Sequence, residues 1–351
     1  MNNNQSVKQN NRVEWIDLAK GLTMLLVVVG HCLYIPGQTI PLLRLVRGLI
    51  FSFHMPLFFV LSMVTYKLSD TNDMLVRKAE KAFRHLIIPT CVLFSLQTVL
   101  YFLLERKDES ISFFLAKTVN TFIYSSGVEI RVGSEVIPEI GMIWFFVALF
   151  LSRTLYDYLH LKLSKKRFII AICLLSVVGV VMRRIQYLPF SFDIVLAIMP
   201  FLYFGEYLKK VDLRKKLLIY SVVSLIIWLI TLGVQFFING IYLELAQRSY
   251  PLYPLCFLTA AAGVFFVICL SNILMKIRKV MIPFIFIGRN SMYFFWAHIM
   301  DYVLQPVWED NSQPVKMVLL RLLIDIILFI AIVFSVKLIK HLTSKIKELK
   351  P

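Results

Sequence analysis

Charge is what this chain has least of. Only 17% of its 351 residues are Asp, Glu, Lys or Arg, too few to coat the two soluble domains that such a length would allow. It has no Cys-x-x-Cys spacing. The five cysteines, Cys32, Cys91, Cys173, Cys256 and Cys269, stand singly in apolar runs and read as small buried hydrophobes rather than as a disulfide framework or metal site. No His-Glu-x-x-His, Gly-rich phosphate loop or Gly-x-Ser-x-Gly occurs, so metalloprotease, nucleotide-hydrolase and serine-hydrolase motifs have no support. There is no internal repeat of useful strength, which counts against an inverted-repeat transporter. No small-residue cleavage site follows the first hydrophobic segment, which is therefore expected to stay as an anchor.

Apolar residues make up 59% of the chain and aromatic residues 14%, with a strongly positive mean hydropathy. Those values belong to a polytopic membrane protein, and the fold expected is all-α, a bundle of transmembrane helices. About 20 apolar residues cross a bilayer, and ten such runs can be placed, near 15–35, 42–67, 84–104, 141–157, 168–182, 190–208, 217–239, 252–274, 281–305 and 317–339. The run at 168–182 is short and that at 42–67 is interrupted. The polar start, 1–11, is expected to be disordered. Residues 12–340 then form one membrane domain, and 341–351 a basic tail. The longest outer connection, roughly 105–140, carries an amphipathic piece, "ISFFLAKTVNTFIYSS", suited to lying flat at an interface.

Lys and Arg outnumber Asp and Glu by 38 to 21, a formal net charge of +17. With ten spans and both ends in the cytoplasm, 25 of those 38 cations fall in inside connections and 8 in outside ones. A bias of about three to one sets this orientation. The basic balance thus reports topology and contact with anionic headgroups of the bilayer, and no nucleic-acid partner is expected.

The spans keep ionisable side chains that lipid disfavours by about 2.5 kcal/mol or more each. In "RVEWIDLAKGLTMLLVVVGHC", Lys20 and His31 are eleven residues apart, which on a helix puts them about 20° out of phase and about 16 Å apart. Asp17 lies near the same stripe, one turn before Lys20, and can neutralise it. Snorkelling to the interface is the plain alternative for Asp17 and Lys20, and a hydrogen-bonded core histidine is the alternative for His31. In "SFHMPLFF" His54 stands two residues before Pro56, so a kink or break is expected there, with His54 satisfying it or working beside it. In "FIFIGRNSMYFFWAHIMDYVL", Ser291, His298 and Asp301 share a face, with Asn290 close by. Asp301 is placed to orient the His298 ring. Arg321 and Asp325, at i, i+4, are expected to pair with each other. A polar core holding histidines and open to a basic entrance leaves general-base chemistry or proton-coupled transport.

Four stretches, "WIDLAKGLTMLLVVVGH", "FHMPLFFVLS", "GMIWFFVALF" and "IGRNSMYFFWAH", resemble in order and spacing the multi-span acyltransferase family 3. The likeness is greatest to its branch similar to fucose 4-O-acetylases and cell-wall polysaccharide O-acetyltransferases. The resemblance spans residues 15 to 298 and, with no esterase-like domain following, is to stand-alone members. It implies a ten-span enzyme of the plasma membrane. Acyl-CoA, first of all acetyl-CoA, is the expected donor and the hydroxyl of a sugar or polysaccharide the acceptor; no metal is expected. The family's basic residue, ten-residue spacer and histidine fall on Lys20 and His31. Lysine replaces the arginine common there and lacks its bidentate fork for phosphate. The histidine before "MPLFF" falls on His54, the fourth-span tryptophan on Trp144, and the Asn-Ser and later histidine on Asn290, Ser291 and His298. Met63 stands where relatives have glycine.

On this reading His31 is general base or transient acyl carrier, and His54 stabilises the oxyanion or exchanges roles with it. Asp17 and Lys20, with Arg77, Lys78, Lys81 and Arg84, contact the donor; Trp144, Asn290, Ser291, His298 and Asp301 bind the acceptor or shape its pocket. The alternative function is a secondary transporter or flippase for a glycan or lipid-linked intermediate, with the histidines as a proton relay.

Overall fold

The computed structural model describes residues 13–33, 41–105, 110–213, 216–303 and 314–348. The 1–11 tail lies outside the described residues, as do the side chains of Asp301 and of the last part of the basic tail. The architecture is all-α, as expected. Among the described residues fifteen α-helices follow one another: α1 (Glu14–Cys32), α2 (Pro41–Phe51), α3 (His54–Val64), α4 (Asn72–Ala82), α5 (Ile88–Glu105), α6 (Ile111–Tyr124), α7 (Trp144–Lys162), α8 (Lys165–Met182), α9 (Phe192–Ala197), α10 (Met199–Leu208), α11 (Leu217–Asn239), α12 (Leu255–Leu274), α13 (Arg278–Arg289), α14 (Ser291–Val303) and α15 (Pro314–Glu348). A two-stranded antiparallel hairpin, Ile130–Val132 with Glu135–Ile137, pairs Ile130 with Ile137 across the connection from α6 to α7.

Among the described residues seven helical stretches are long and apolar enough to cross a membrane, and a pair bent by 54° between Ala197 and Met199 makes an eighth if taken as one span. The protein is therefore a multi-pass membrane protein. The ten expected spans all fall on helices, but two do not meet that test alone. α8 opens on Lys165, Lys166 and Arg167, and the 281–305 run is divided at Asn290 into α13 and α14. The sides of α5, α11 and α15 turned away from the bundle expose Val92, Leu103, Leu218, Ile230, Phe237, Leu323 and Phe334, an apolar girdle suited to lipid tails.

The break anticipated near Pro56 is present: α2 ends at Phe51 and α3 begins at His54. Pro56 then sits in the first turn of α3, where its missing N–H has no helical partner to lose. A second break was not anticipated. Pro200 follows Ile198 in "AIMPF", and the chain turns there between α9 and α10.

Two glycines set how closely α1 and α13 approach. A Cβ on Gly288 would lie 1.7 Å from the Asp17 carbonyl oxygen, and one on Gly21 would lie 1.9 Å from that of Phe284. Only residues without side chains permit that crossing. Ten residues further along each chain His31 meets His298, so the α13–α14 rod climbs alongside α1 in the same direction. α15 then descends against α14, with His298 opposite Asp325 and Phe294 opposite Phe329.

At the end of the bundle reached by the C-terminus of α1, the connections are tied by Arg248, which is fully buried. Its guanidinium pairs with Asp193, donates to Ser126 Oγ at 3.0 Å and to Ser191 Oγ at 3.3 Å, and lies over the Tyr187 ring. A buried ion pair that is fully hydrogen-bonded holds three loops in one arrangement.

Candidate active site

At the C-terminal end of α1, this helix, the α2–α3 break, α14 and α15 bring three imidazoles together. The His31 and His298 ring centroids are 5.4 Å apart. The Phe51 ring lies 5.2 Å from His31 and 4.6 Å from His54. The break makes this possible: ending α2 at Phe51 leaves its carbonyl free of a helical partner, and His54 Nδ1 stands 3.3 Å from that oxygen. His54 is buried, whereas His31 is half-buried and forms no hydrogen bond among the described residues.

His298 is buried and its Nδ1 lies 2.8 Å from Asp325 Oδ2. With Nδ1–H donating to that carboxylate, the neutral ring presents Nε2 as an acceptor. Nε2 is buried and has no hydrogen-bond partner among the described residues. This corrects the expected Arg321–Asp325 pair: Asp325 is taken by a histidine on another helix, since a buried carboxylate gains more from a buried donor than from a half-buried neighbour on its own helix. The side chain of Asp301, assigned this orienting role from the sequence, lies outside the described residues. The charges of Arg47 and Arg321 act on the His31 ring.

The remaining expected site residues are more scattered. Lys20 is half-buried and Asp17 buried, near the start of α1. Asp17 Oδ2 accepts from Arg289 Nε at 3.4 Å, while Glu14 holds both Arg278 (2.6 Å) and Arg289 (2.8 Å). Asn290 closes α13, its Nδ2 donating to the Phe286 carbonyl at 2.9 Å. It and Ser291 stand level with Gly21, well below His298. Trp144 is buried at the start of α7 against Gly127, its ring 6.3 Å from that of Phe145. Arg77, Lys81 and Arg84 are exposed on α4 and on the π-helical turn, Phe83–Ile87, that joins it to α5.

Lys78 belongs to a group that sequence reasoning missed. Around Tyr66, at the end of α3, gather Lys78 (Nζ 5.2 Å from the ring centre), Arg153 (Cζ 4.3 Å) and Lys209, which donates to the Tyr66 carbonyl. The carboxylate in contact with Tyr66, Asp157, is consumed by Tyr66 OH at 2.7 Å and by the Ser69 N–H and Oγ at 2.8 and 2.7 Å. Its bond to Tyr66, with burial as the larger cause, pushes the phenol well above its ordinary range. The cluster keeps a net positive charge suited to phosphate. A cation within contact of the same aromatic ring is not visible as sequence spacing, since Tyr66, Lys78, Arg153 and Lys209 come from four elements.

The family model described as an acyltransferase domain, that of acyltransferase family 3, matches residues 13–339. The chain belongs to this family and is a membrane acyltransferase. No curated protein and no solved structure matches it.

Proposed function

We propose that this enzyme carries a short acyl group, acetyl in the first instance, from cytoplasmic acyl-CoA to a hydroxyl of a cell-surface or cell-wall glycan, in the plasma membrane. The observation that carries the reading is the imidazole layer: a half-buried His31 next to His298, whose ring is held by Asp325. It lies about 16 Å along α1 from Lys20. That is the reach of an extended pantetheine arm with its phosphates at the basic end, where Lys20, Lys78, Arg84, Arg153 and Lys209 supply the charge.

In the reaction His31 takes the proton of the acceptor hydroxyl as its oxygen attacks the thioester carbonyl. The new C–O bond forms and the C–S bond breaks. The leaving thiolate recovers the proton from His31, so both substrates and the ring end neutral. The His31–His298 contact gives the transient imidazolium a neighbour whose Nε2 can accept charge by hydrogen bonding, with Asp325 beyond it. His54, with Nδ1–H anchored on the Phe51 carbonyl, presents Nε2 as an acceptor and can exchange the role of base with His31.

The test is acyl transfer by purified protein from radiolabelled acetyl-CoA to de-O-acylated surface polysaccharide. His31→Ala is expected to lower the rate by about 10²- to 10⁴-fold at an unchanged membrane level. Wild-type-like transfer by a well-expressed variant overturns the mechanism.

A further inference from the structure

Beside the imidazoles, on the side away from the basic end, α2 faces the loop between α11 and α12. Arg47 lays its guanidinium on the Phe51 ring at 4.7 Å, the same ring that touches His31 and His54. Across from it Glu244 extends from a short turn closed by the Glu244 and Ser249 backbone pair. Tyr242 adds a second aromatic wall, 6.2 Å from Phe51.

Two features set Glu244 apart from a structural ion pair. Its carboxylate is nearly buried, at 12% exposure, yet its approach to Arg47 Nη2 is 3.9 Å, beyond hydrogen-bond length. Among the described residues it accepts no hydrogen bond. A buried carboxylate in that condition is costly unless a donor reaches it. Burial accordingly pushes its pKa up to about 7, against the opposing charge of Arg47.

A hydroxyl fits the gap. An oxygen about 2.8 Å from both Nη2 and Oε1 can accept from the guanidinium while donating to the carboxylate. An anionic substituent would be repelled by Glu244, and an ammonium by Arg47. The half-buried Tyr242 ring beside the gap favours the C–H face of a sugar. We propose that Arg47 and Glu244 are specificity-determining residues for the acceptor, bridged by a hydroxyl of a neutral sugar while a second hydroxyl of the same unit meets His31. This deepens the reaction proposed above and rests on it.

The experiment uses the full-length purified protein and, as probe, oligosaccharide released from the source cells' own surface polysaccharide and de-O-acylated with mild base. In acyl-transfer assays Glu244→Ala and Arg47→Gln are each expected to raise the acceptor KM at least tenfold. The acetyl-CoA KM should stay within twofold for both variants, and so should the slow hydrolysis of acetyl-CoA without acceptor for Glu244→Ala. Direct binding of the oligosaccharide, measured with no donor present, should fall by the same factor. Arg44→Gln, which removes only the tie to the Gly240 carbonyl, should change none of these. Unchanged acceptor KM and binding in folded variants would overturn the assignment, as would equal losses for donor and acceptor. If wild type binds the oligosaccharide but transfers no acyl group, the reaction is wrong, and the binding losses still decide the roles of Arg47 and Glu244.

Discussion

At the scale of single residues the site turns on what each imidazole touches. Asp325 holds His298 Nδ1 at 2.8 Å inside the bundle, where a charge-assisted hydrogen bond is worth about 1.5–3 kcal/mol. Asp325→Asn keeps the shape but not the charge and frees the ring to take either tautomer. Acyl transfer should fall by about tenfold to a hundredfold, with the rate's pH profile shifted relative to wild type. A purely structural role would lower thermal stability and leave that profile in place. The histidines themselves were legible, because an imidazole within an apolar run has few uses. Asp325 was not. Local spacing favoured Arg321 one turn away, and a contact 27 positions distant leaves no periodic trace. Arg47 and Glu244 were missed for a similar reason: one is a cation near a span end, the other a carboxylate in a polar turn, and only the fold joins them.

Whole helices raise a different question, that of how the two charged layers keep their separation. The α1–α13 crossing at Gly21 and Gly288 has no room for a methyl group, since the clashing atoms are backbone carbonyls. Gly288→Ala is expected to destabilise the protein by about 1–3 kcal/mol, read as a lower melting temperature in detergent. Gly233→Ala, where a Cβ meets nothing within 4 Å, should leave it equal or slightly higher, as alanine favours helix. Among the elements, those with a chemical signal were readable. Proline and histidine in one turn announced the α2–α3 break, and continuous apolar runs announced α11, α12 and α15. The split of 281–305 was not readable, because "IGRNSM" carries no proline and α13 looks apolar enough to continue. The amphipathic "ISFFLAKTVNTFIYSS" did become a helix, α6, and the segment after it closed into a hairpin through Gly133 at φ +61°.

For the molecule as a whole, both ends of the described chain leave at one face. α1 starts there at Glu14, and α15 returns with Lys337 5.8 Å over Phe286 of α13 before running on to Glu348. The same face carries the Tyr66 cluster and the exposed Arg77, Lys81 and Arg84. On the orientation expected from the positive-inside bias, this is the cytoplasmic face. Reporter fusions at either end should therefore fluoresce as a cytoplasmic fluorescent protein and stay inactive as a periplasmic or exported phosphatase. Active phosphatase at both ends would invert the orientation and with it the side from which the donor enters.

At Gly21 and Gly288 backbone is pressed on backbone, so α1 and α13 share one fixed crossing. Lys20 and His31 ride on the same helix, and on the reaction proposed above the interval between the donor's anchoring point and the reacting thioester is in effect a ruler built into the scaffold. An arm of the wrong length would stop short of His31 or overshoot it.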